Sequence, residues 1–244
     1  MKIGIIGFGS FGQFMAKHLK DRAEVVVTNT SNKEKEAKRI GVKFLPLDEA
    51  IKSDVVILSV PIEKMKDVLH SIKDKLNPGT LVLDVCSVKI FPCELMKKNL
   101  PDNVEIIGTH PLFGPESAKN SLKGMKIALC NVRSKRVEKV RKFCEGLGLT
   151  VFEVSPEEHD REMAVSQALT HFVGRVFEKM DLKKVGLGTK TFDDLVDISN
   201  IIKNDSRALF ENIETKNPFA GELRKRFIEE SKKLDDHLDG IDDK

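Results

Sequence analysis

The sequence predicts an α/β fold: a doubly wound parallel sheet followed by a small all-helical domain. Three observations carry this expectation. From the first residue to about residue 155, short apolar runs alternate with amphipathic stretches, the pattern of strands joined by crossover helices. Several runs are apolar almost throughout, residues 54–60 (DVVILSV) above all, as strands buried on both faces of a parallel sheet are. After Ser155-Pro156 the apolar positions recur at helical spacing and no convincing strand candidate follows.

Residues 2–6 make the first strand, 12–20 a helix and 24–28 a second strand. Ser31 and Glu34 have the spacing of a capping box that opens a helix, which Gly41 can end. A short strand at 42–45 precedes the buried strand 54–60. Residues 62–75 are an amphipathic helix closed by Asn77-Pro78-Gly79. Strands at 80–85, 104–108 and 125–132, a helix at 135–147 and a strand at 150–154 complete the unit. Beyond the boundary, 157–179 has helical spacing with Met163, Leu169, Phe172, Val173 and Val176 apolar. Residues 192–210 and 218–238 also read as helices, and the acidic tail 235–244 is expected to fray. The expected domains are therefore 1–155 and 156–244.

Composition narrows the function classes. With 40% hydrophobic and 32% charged residues over 244 positions, a buried core is expected and disorder is not. A net charge of +3 gives no reason to invoke nucleic acid or an anionic membrane. No apolar run approaches the roughly 20 residues of a membrane span. The opening strand, which carries Gly4, Gly7 and Gly9, does not read as a signal peptide. Cys86, Cys93, Cys130 and Cys144 are widely spaced without a C-x-x-C pair. They read as free thiols in a reducing cytoplasm, not as a disulfide frame or zinc site.

Gly7-Phe8-Gly9-Ser10-Phe11-Gly12 matches G-x-G-x-x-G between a strand and a helix, the context that makes the pattern a dinucleotide fingerprint of the Rossmann fold. Gly7 permits the tight turn, Gly9 lets backbone approach the pyrophosphate, and Gly12 allows close helix–strand packing. At the end of the second strand an NAD enzyme usually places an acid for the ribose hydroxyls. This chain reads Thr28-Asn29-Thr30-Ser31-Asn32-Lys33, with no acid in the window. Asn29, Thr30, Ser31 and Lys33 would instead favour a 2′-phosphate, and a helix starting at Ser31 would add its N-terminal N–H groups. NADP is therefore expected over NAD, with a plain cap and a solvated lysine as the bland alternative.

Ligands of open α/β sheets bind beyond the carboxyl ends of the strands. Three polar segments fall there: Ser59-Val60-Pro61 beside the cofactor, Asp84-Val85-Cys86-Ser87-Val88-Lys89, and residues 108–116 (GTHPLFGPE). In the last, His110 follows a strand directly and is bracketed by Gly and Pro, which would fix an imidazole on a rigid turn where it can take a proton near neutral pH.

GFGSFG, DVCSVK, GTHPLFGPE and SQALTHFVG together resemble the prephenate/arogenate dehydrogenases of tyrosine biosynthesis, over residues 3–180 with weaker agreement to about 220. HPLFGPES and ALTHFVG are nearest the arogenate-type branch. The resemblance implies a Rossmann domain followed by a helical domain that dimerises, so a homodimer through residues 156–244 is expected. Phe210, Phe219, Leu223 and Phe227 are apolar positions for it. By motif, His110 matches the family's catalytic base, Ser87 the residue that hydrogen-bonds the same substrate hydroxyl, and Glu116 a polar residue at the pocket edge. His159 and His171 match two family histidines of the helical domain, with Thr170 in place of the usual proline. Asn200 stands where the family commonly carries a carboxylate-binding Arg, and neither Lys203 nor Arg207 is in register. Lys89 reads equally as a ligand for substrate carboxylate or as the cap of the next helix. His159 and His171 lie twelve positions apart, about 120° around a helix, and a core histidine bonded to backbone is an ordinary outcome for either.

The activity implied is NADP-dependent oxidative decarboxylation of prephenate or arogenate. His110 removes the proton of the C4 hydroxyl while hydride leaves C4 for the nicotinamide, and loss of CO2 restores an aromatic ring without a metal. Two other readings stand beside it. One is another Rossmann oxidoreductase, such as an F420-dependent NADP reductase, which would not need the paired DVCSVK and HPLFGPE segments. The other is a non-catalytic NADP-binding protein.

Overall fold

A single eight-stranded sheet of order β3-β2-β1-β4-β5-β6-β7-β8 organises the first 157 residues. Its strands are β1 (Lys2–Ile6), β2 (Glu24–Thr28), β3 (Lys43–Phe44), β4 (Val55–Leu58), β5 (Leu81–Asp84), β6 (Glu105–Pro111), β7 (Lys126–Arg133) and β8 (Thr150–Glu153). The computed structural model describes residues 1–119 and 121–242. Every pairing is parallel except that of β6 with β7, which is antiparallel. The sheet is therefore mixed where the sequence predicts a parallel one. The described part of the connection 112–125 holds no crossover helix, and a chain that returns without one lays down an antiparallel neighbour.

Apolar residues on alternate strand positions feed two cores. Ile3, Ile5, Val25, Val27 and Ile57 pack on one face with Ala16 and Leu19 of α1 (Ser10–Leu19), Ala37 of α2 (Glu34–Ile40) and Cys144 of α6 (Val137–Gly146). Ile6, Val56 and Leu58 pack on the other. Their partners are Ile51, just past α3 (Leu47–Ala50), then Met65 and Leu69 of α4 (Ile62–Ile72) and Met96 of α5 (Ile90–Asn99). Full burial of such a side chain stabilises the fold by about 1.5–3 kcal/mol. These two layers make the carboxyl ends of β1, β4, β5 and β6 a rigid platform. An apolar cavity of about 430 Å³ lies on the α1–α6 face, lined by Phe14, Ile57, Leu83 and Phe143 among others.

Several local expectations change. Helix α2 begins at Glu34 with no side-chain cap. Ser31 accepts a hydrogen bond from Asn29 Nδ2 (2.8 Å) instead of capping, and Asn32 Oδ1 takes the Glu34 N–H (2.9 Å). Helix α5 was not among the expected elements. It carries Pro92, which is tolerated in a first turn but breaks the sequence signal. Strand β6 runs past Gly108 to Pro111, because β7 supplies partners there, Thr109 to Leu129 and His110 to Ala128.

The second compact unit is Glu158–Lys244. In its part of the chain the expected helix 157–179 is three pieces: α7 (Pro156–Met163), a π-helical turn (Ala164–Ala168) and α8 (Leu169–Lys179). The expected helix 192–210 is two. Thr189 caps α9 (Lys190–Lys203) and Ser206 caps α10 (Arg207–Lys216), each side chain accepting from an N–H three residues on. A strong N-cap inside the run is what divides it. Helix α11 (Ala220–Asp242) continues through most of the tail expected to fray, and Asp243 and Lys244 lie outside the described residues. The buried core of this unit is small, with Ala168, Ile213 and Ala220 packed by Leu209. Among the described residues no helix is long and apolar enough to cross a membrane.

Candidate active site

The glycine loop leaves β1 and enters α1. Gly7 has φ +97°, and a Cβ there would drive into the Ser59 backbone; a Cβ on Gly12 would drive into the carbonyl of Gly7. The loop, the first turn of α1 and the Ser59-Val60-Pro61 segment are thus in backbone contact, and only glycine permits it. Around Gly9 there is open space, the room a pyrophosphate needs at a helix N-terminus. Gly9 and Ser10 are exposed. Phe8 is not a ligand by its side chain, which is fully buried in the core. Phe11 leans on Phe14, with ring centroids 5.8 Å apart, and lines the apolar cavity.

At the end of β2, Asn29 turns inward. Its Oδ1 accepts the Phe8 N–H at 3.0 Å while its Nδ2 donates to Ser31 Oγ at 2.8 Å. Thr30 and Ser31 are exposed. Lys33 Nζ lies 2.8 Å from Glu36 Oε1, a half-buried pair in which the lysine holds the Glu36 carboxyl below its ordinary value. The window that lacks an acid in sequence therefore has one in space, one helical turn from Lys33.

The polar segments after β5 and within β6 meet at adjacent strand ends. Asp84 pairs with Gly108 in the parallel register. Ser87 is half-buried in the segment after β5, and His110 is buried within β6. His110 is held by strand pairing, not by the turn expected for it, which fixes its backbone more firmly. Glu116 lies exposed in the turns beyond β6.

Lys89 does not fit the substrate-ligand reading. Its side chain is fully buried, its ammonium is ion-paired with Asp84, and it donates to the Thr109 carbonyl at 2.6 Å. It stands at the N-cap position of α5 but makes no side-chain cap bond. Asp84 also accepts the N–H of Cys86 (2.9 Å) and of Thr109 (3.2 Å), and the Thr109 hydroxyl donates to the Asp84 carbonyl. Burial alone would lower the lysine's affinity for its proton; Asp84, with Cys86 and Cys93, outweighs this and holds it above the ordinary value. Removing one partner of such a pair costs about 3–5 kcal/mol, because the other is left buried and uncompensated. A Cβ on Gly108 would collide with Cys93 Sγ and only touch Lys89 Cδ, so the glycine makes room for the Cys93 thiol of α5. Burial, then the Asp84 charge, pushes the Cys86 thiol well up, which leaves it protonated and without nucleophilic character.

In the second unit, His159 and Asp160 are buried, with Nδ1 2.7 Å from Oδ1. The π-helical turn lies between them and His171. His171 Nε2 is 3.8 Å from Asp205 Oδ2; burial, and then Arg175, lower its pKa against the pull of Asp205. Arg175, one turn further on, donates to the Asp205 carbonyl at 2.7 Å and pairs with Glu178 at 2.8 Å. Buried Nδ1 of His171 and Nε of Arg175 have no hydrogen-bond partner among the described residues. Asn200 is exposed on α9, and Arg207 pairs with Glu211. Sequence reasoning missed the buried pairing of Asp84 with Lys89. The signal was an acid ending a buried strand five residues before a lysine.

Residues 15–153 match the family model described as "Prephenate dehydrogenase, nucleotide-binding domain". Arogenate dehydrogenase 2, chloroplastic, of Arabidopsis thaliana is 37% identical over 93% of this chain and 66% of its own length. Arogenate dehydrogenase 1, chloroplastic, of the same plant is 35% identical over 93% of this chain and 37% of its own. The chain thus spans between about a third and two thirds of these curated relatives. The crystal structure of prephenate dehydrogenase from A. aeolicus, in complex with hydroxyphenyl propionate and NAD+, superposes with a TM-score of 0.77. It does so at 22% identity, covering 99% of this chain and 90% of that one, which shows a shared fold. By the match over residues 15–153, the chain belongs to the prephenate dehydrogenase family and carries its nucleotide-binding domain.

Proposed function

We propose that the chain catalyses the NADP-dependent oxidative decarboxylation of arogenate or prephenate, with His110 as general base and Ser87 as its partner at the substrate hydroxyl. The observation that carries this is that Ser87 follows the end of β5 and His110 lies near the end of the neighbouring β6, strands in register through Asp84 and Gly108, in a family of dehydrogenases. The glycine loop fits a dinucleotide: Gly7 and Gly12 close the turn without side chains and Gly9 faces open space. Gly7–Gly12 would hold the pyrophosphate through backbone N–H groups, Ser59-Val60-Pro61 would flank it, and Thr30, Ser31 and Lys33 would meet the 2′-phosphate. When bound, the nicotinamide supplies the acceptor for the hydride leaving ring C4. His110 takes the hydroxyl proton as that carbon becomes a carbonyl. Ser87 donates to the same oxygen and fixes its direction. Release of CO2 from C1 then yields the aromatic ring, and aromatisation drives the step.

His159 and His171 belong to the substrate side in this reading. Glu116 sits at the pocket edge. The free thiols of all four cysteines suit a reducing compartment, so the cytoplasm is the proposed location. A homodimer through the helical region 156–244 is the proposed assembly, with 1–155 as the dinucleotide domain. The relatives favour this over an F420-dependent NADP reductase or a non-catalytic NADP-binding protein.

The test is turnover of arogenate, prephenate and reduced F420, each with NADP and NAD. Oxidation of arogenate or prephenate is expected, and turnover of reduced F420 alone overturns the reading. His110→Ala should lower kcat by about 10²–10⁴-fold with little change in NADP affinity, and Ser87→Ala should cost less. Wild-type kcat/KM should fall at acid pH as the imidazole protonates; the residual rate of His110→Ala should lose that limb.

A further inference from the structure

We propose that Lys89 is a positioning residue: its ammonium, bridging the Asp84 carboxylate and the Thr109 carbonyl, holds the segment that carries Ser87 at a fixed spacing from the strand that carries His110. The inference rests on the reading of Ser87 and His110 as partners at one substrate oxygen.

Three features make the bridge more than a buried ion pair. First, the bridge reaches the chain next to both site residues. The Thr109 carbonyl is bonded directly to the His110 nitrogen, and the Cys86 N–H that Asp84 accepts lies one residue before Ser87. Second, β5 ends at Asp84, so strand pairing no longer sets the course of residues 85–89. The Asp84 and Lys89 side chains take over that task, one at each end of the segment. Lys89 also opens α5, so the loop is pinned between a strand end and a helix start. Third, the pair lies on the β5–β6 seam. The Asp84 carboxylate accepts the Thr109 N–H while the Asp84 carbonyl accepts the Thr109 hydroxyl. A donor–acceptor pair in catalysis must be held within about 0.5 Å of its productive geometry, and a loop fixed only by its own turn does not provide that. Both charges are fully buried, so water does not compete for them, and the lysine never reaches a substrate.

The experiment measures coupling. Ser87→Ala is made in the wild type and in a Lys89→Met/Asp84→Asn background, which removes both buried charges together and so avoids the uncompensated carboxylate of the single lysine variant. Melting temperature, NADP dissociation constant, kcat and KM are measured for each. The paired background is expected to melt within a few degrees of the wild type and to bind NADP with unchanged affinity. Its kcat should fall at least about tenfold with KM nearly constant, the signature of an interaction realised in the transition state. Ser87→Ala should then cost less than about twofold there, against a clear loss in the wild type, because the two residues no longer act on one oxygen. Full kcat in the paired variant, or an undiminished effect of Ser87→Ala, overturns the proposal. Should the paired variant not fold, Asp84→Glu serves: it keeps both buried charges together and displaces the carboxylate by one methylene. A several-fold loss of kcat with a reduced Ser87→Ala effect supports the bridge, and unchanged kinetics overturn it. His110→Ala separates the two claims. If it is inactive while the paired variant is fully active, the bridge is wrong and the catalytic assignment stands. If His110→Ala keeps full activity, the catalytic assignment itself fails.

Discussion

The side-chain oxygen of Asn29 accepts the backbone N–H of Phe8 at 3.0 Å, and through that bond the end of β2 holds the glycine loop. One residue thus joins loop geometry to the choice of cofactor. Asn29→Asp retains the acceptor but exchanges the donor to Ser31 for a negative charge. The variant should bind NAD more tightly than the wild type does and NADP at least about tenfold more weakly, as a charge beside a 2′-phosphate demands. Asn29→Leu removes the acceptor altogether and should weaken both cofactors. Calorimetric titration of NAD and NADP into the three proteins checks this; equal responses of the two cofactors to Asn29→Asp would sink it.

Glu36 is a second control on the same choice. Its carboxylate occupies the Lys33 ammonium at 2.8 Å across one helical turn, so a 2′-phosphate that uses Lys33 must compete with it. Glu36→Gln should strengthen NADP binding by a few-fold at low salt and leave NAD unchanged. The gain should shrink as ionic strength rises, because the pair is partly open to solvent and the phosphate charge is screened. Calorimetric titration at two salt concentrations measures it. No change, or the same change for NAD, means that Lys33 does not contact the phosphate.

Much of the first unit was legible because its strands are apolar on both faces and its punctuation is glycine and proline: 2–6 and 24–28 are read to the residue. What escaped has a physical reason in each case. The antiparallel course of β7 depends on a missing crossover, which local periodicity does not encode. Helix α5 hides behind Pro92. Ser31 has the spacing of a cap, but its hydroxyl is taken by Asn29, a contact within a turn that spacing alone does not rank. The proposed site rests on residue types near strand ends, from which Ser87 and His110 are named; the structure puts Ser87 after β5 and His110 in β6. Lys89 could not be placed correctly, because a lysine near a cleft and a lysine buried on an aspartate look alike in sequence. The division between α9 and α10 at Ser206 is an N-cap inside an amphipathic run.

Glu105 sets an acid limit on the first unit. Burial raises its carboxyl, but the Ser134 hydroxyl, the Lys135 N–H and Arg136 together outweigh that, and its pKa lies below the ordinary 4.5. A group depressed on folding adds stability that is fully present above its unfolded value and is lost as pH falls through the folded one. Glu105→Gln should therefore lower the melting temperature at pH 7 and narrow its gap to the wild type as pH falls below about 4. Thermal melts from pH 7 to 3 test the sign. A gap that widens on acidification contradicts the assignment.

Helix α11 exposes Phe227, Ile228, Leu234, Leu238 and Ile241, the last four more than half open to solvent. Positions 227, 234 and 241 are seven apart, with 238 between the last two, so four of these side chains fall along one stripe of the helix. A stripe of this kind on a unit with few fully buried apolar residues is costly to leave in water, at roughly 25 cal/mol per Å². A second copy of the chain would cover it. We therefore expect a homodimer whose dissociation follows this helix. Leu234→Glu combined with Leu238→Glu places two charges in the middle of the stripe, where no buried partner awaits them. It should convert a dimer into a monomer in sedimentation velocity at micromolar concentration. The wild-type melting temperature should rise with protein concentration, as linkage to association requires, and that of the variant should not. Lys225→Glu with Lys232→Glu, exposed on the same helix but off the stripe, should leave the dimer intact. A wild type that sediments as a monomer, or a Leu234/Leu238 variant that stays dimeric, would remove α11 from the interface.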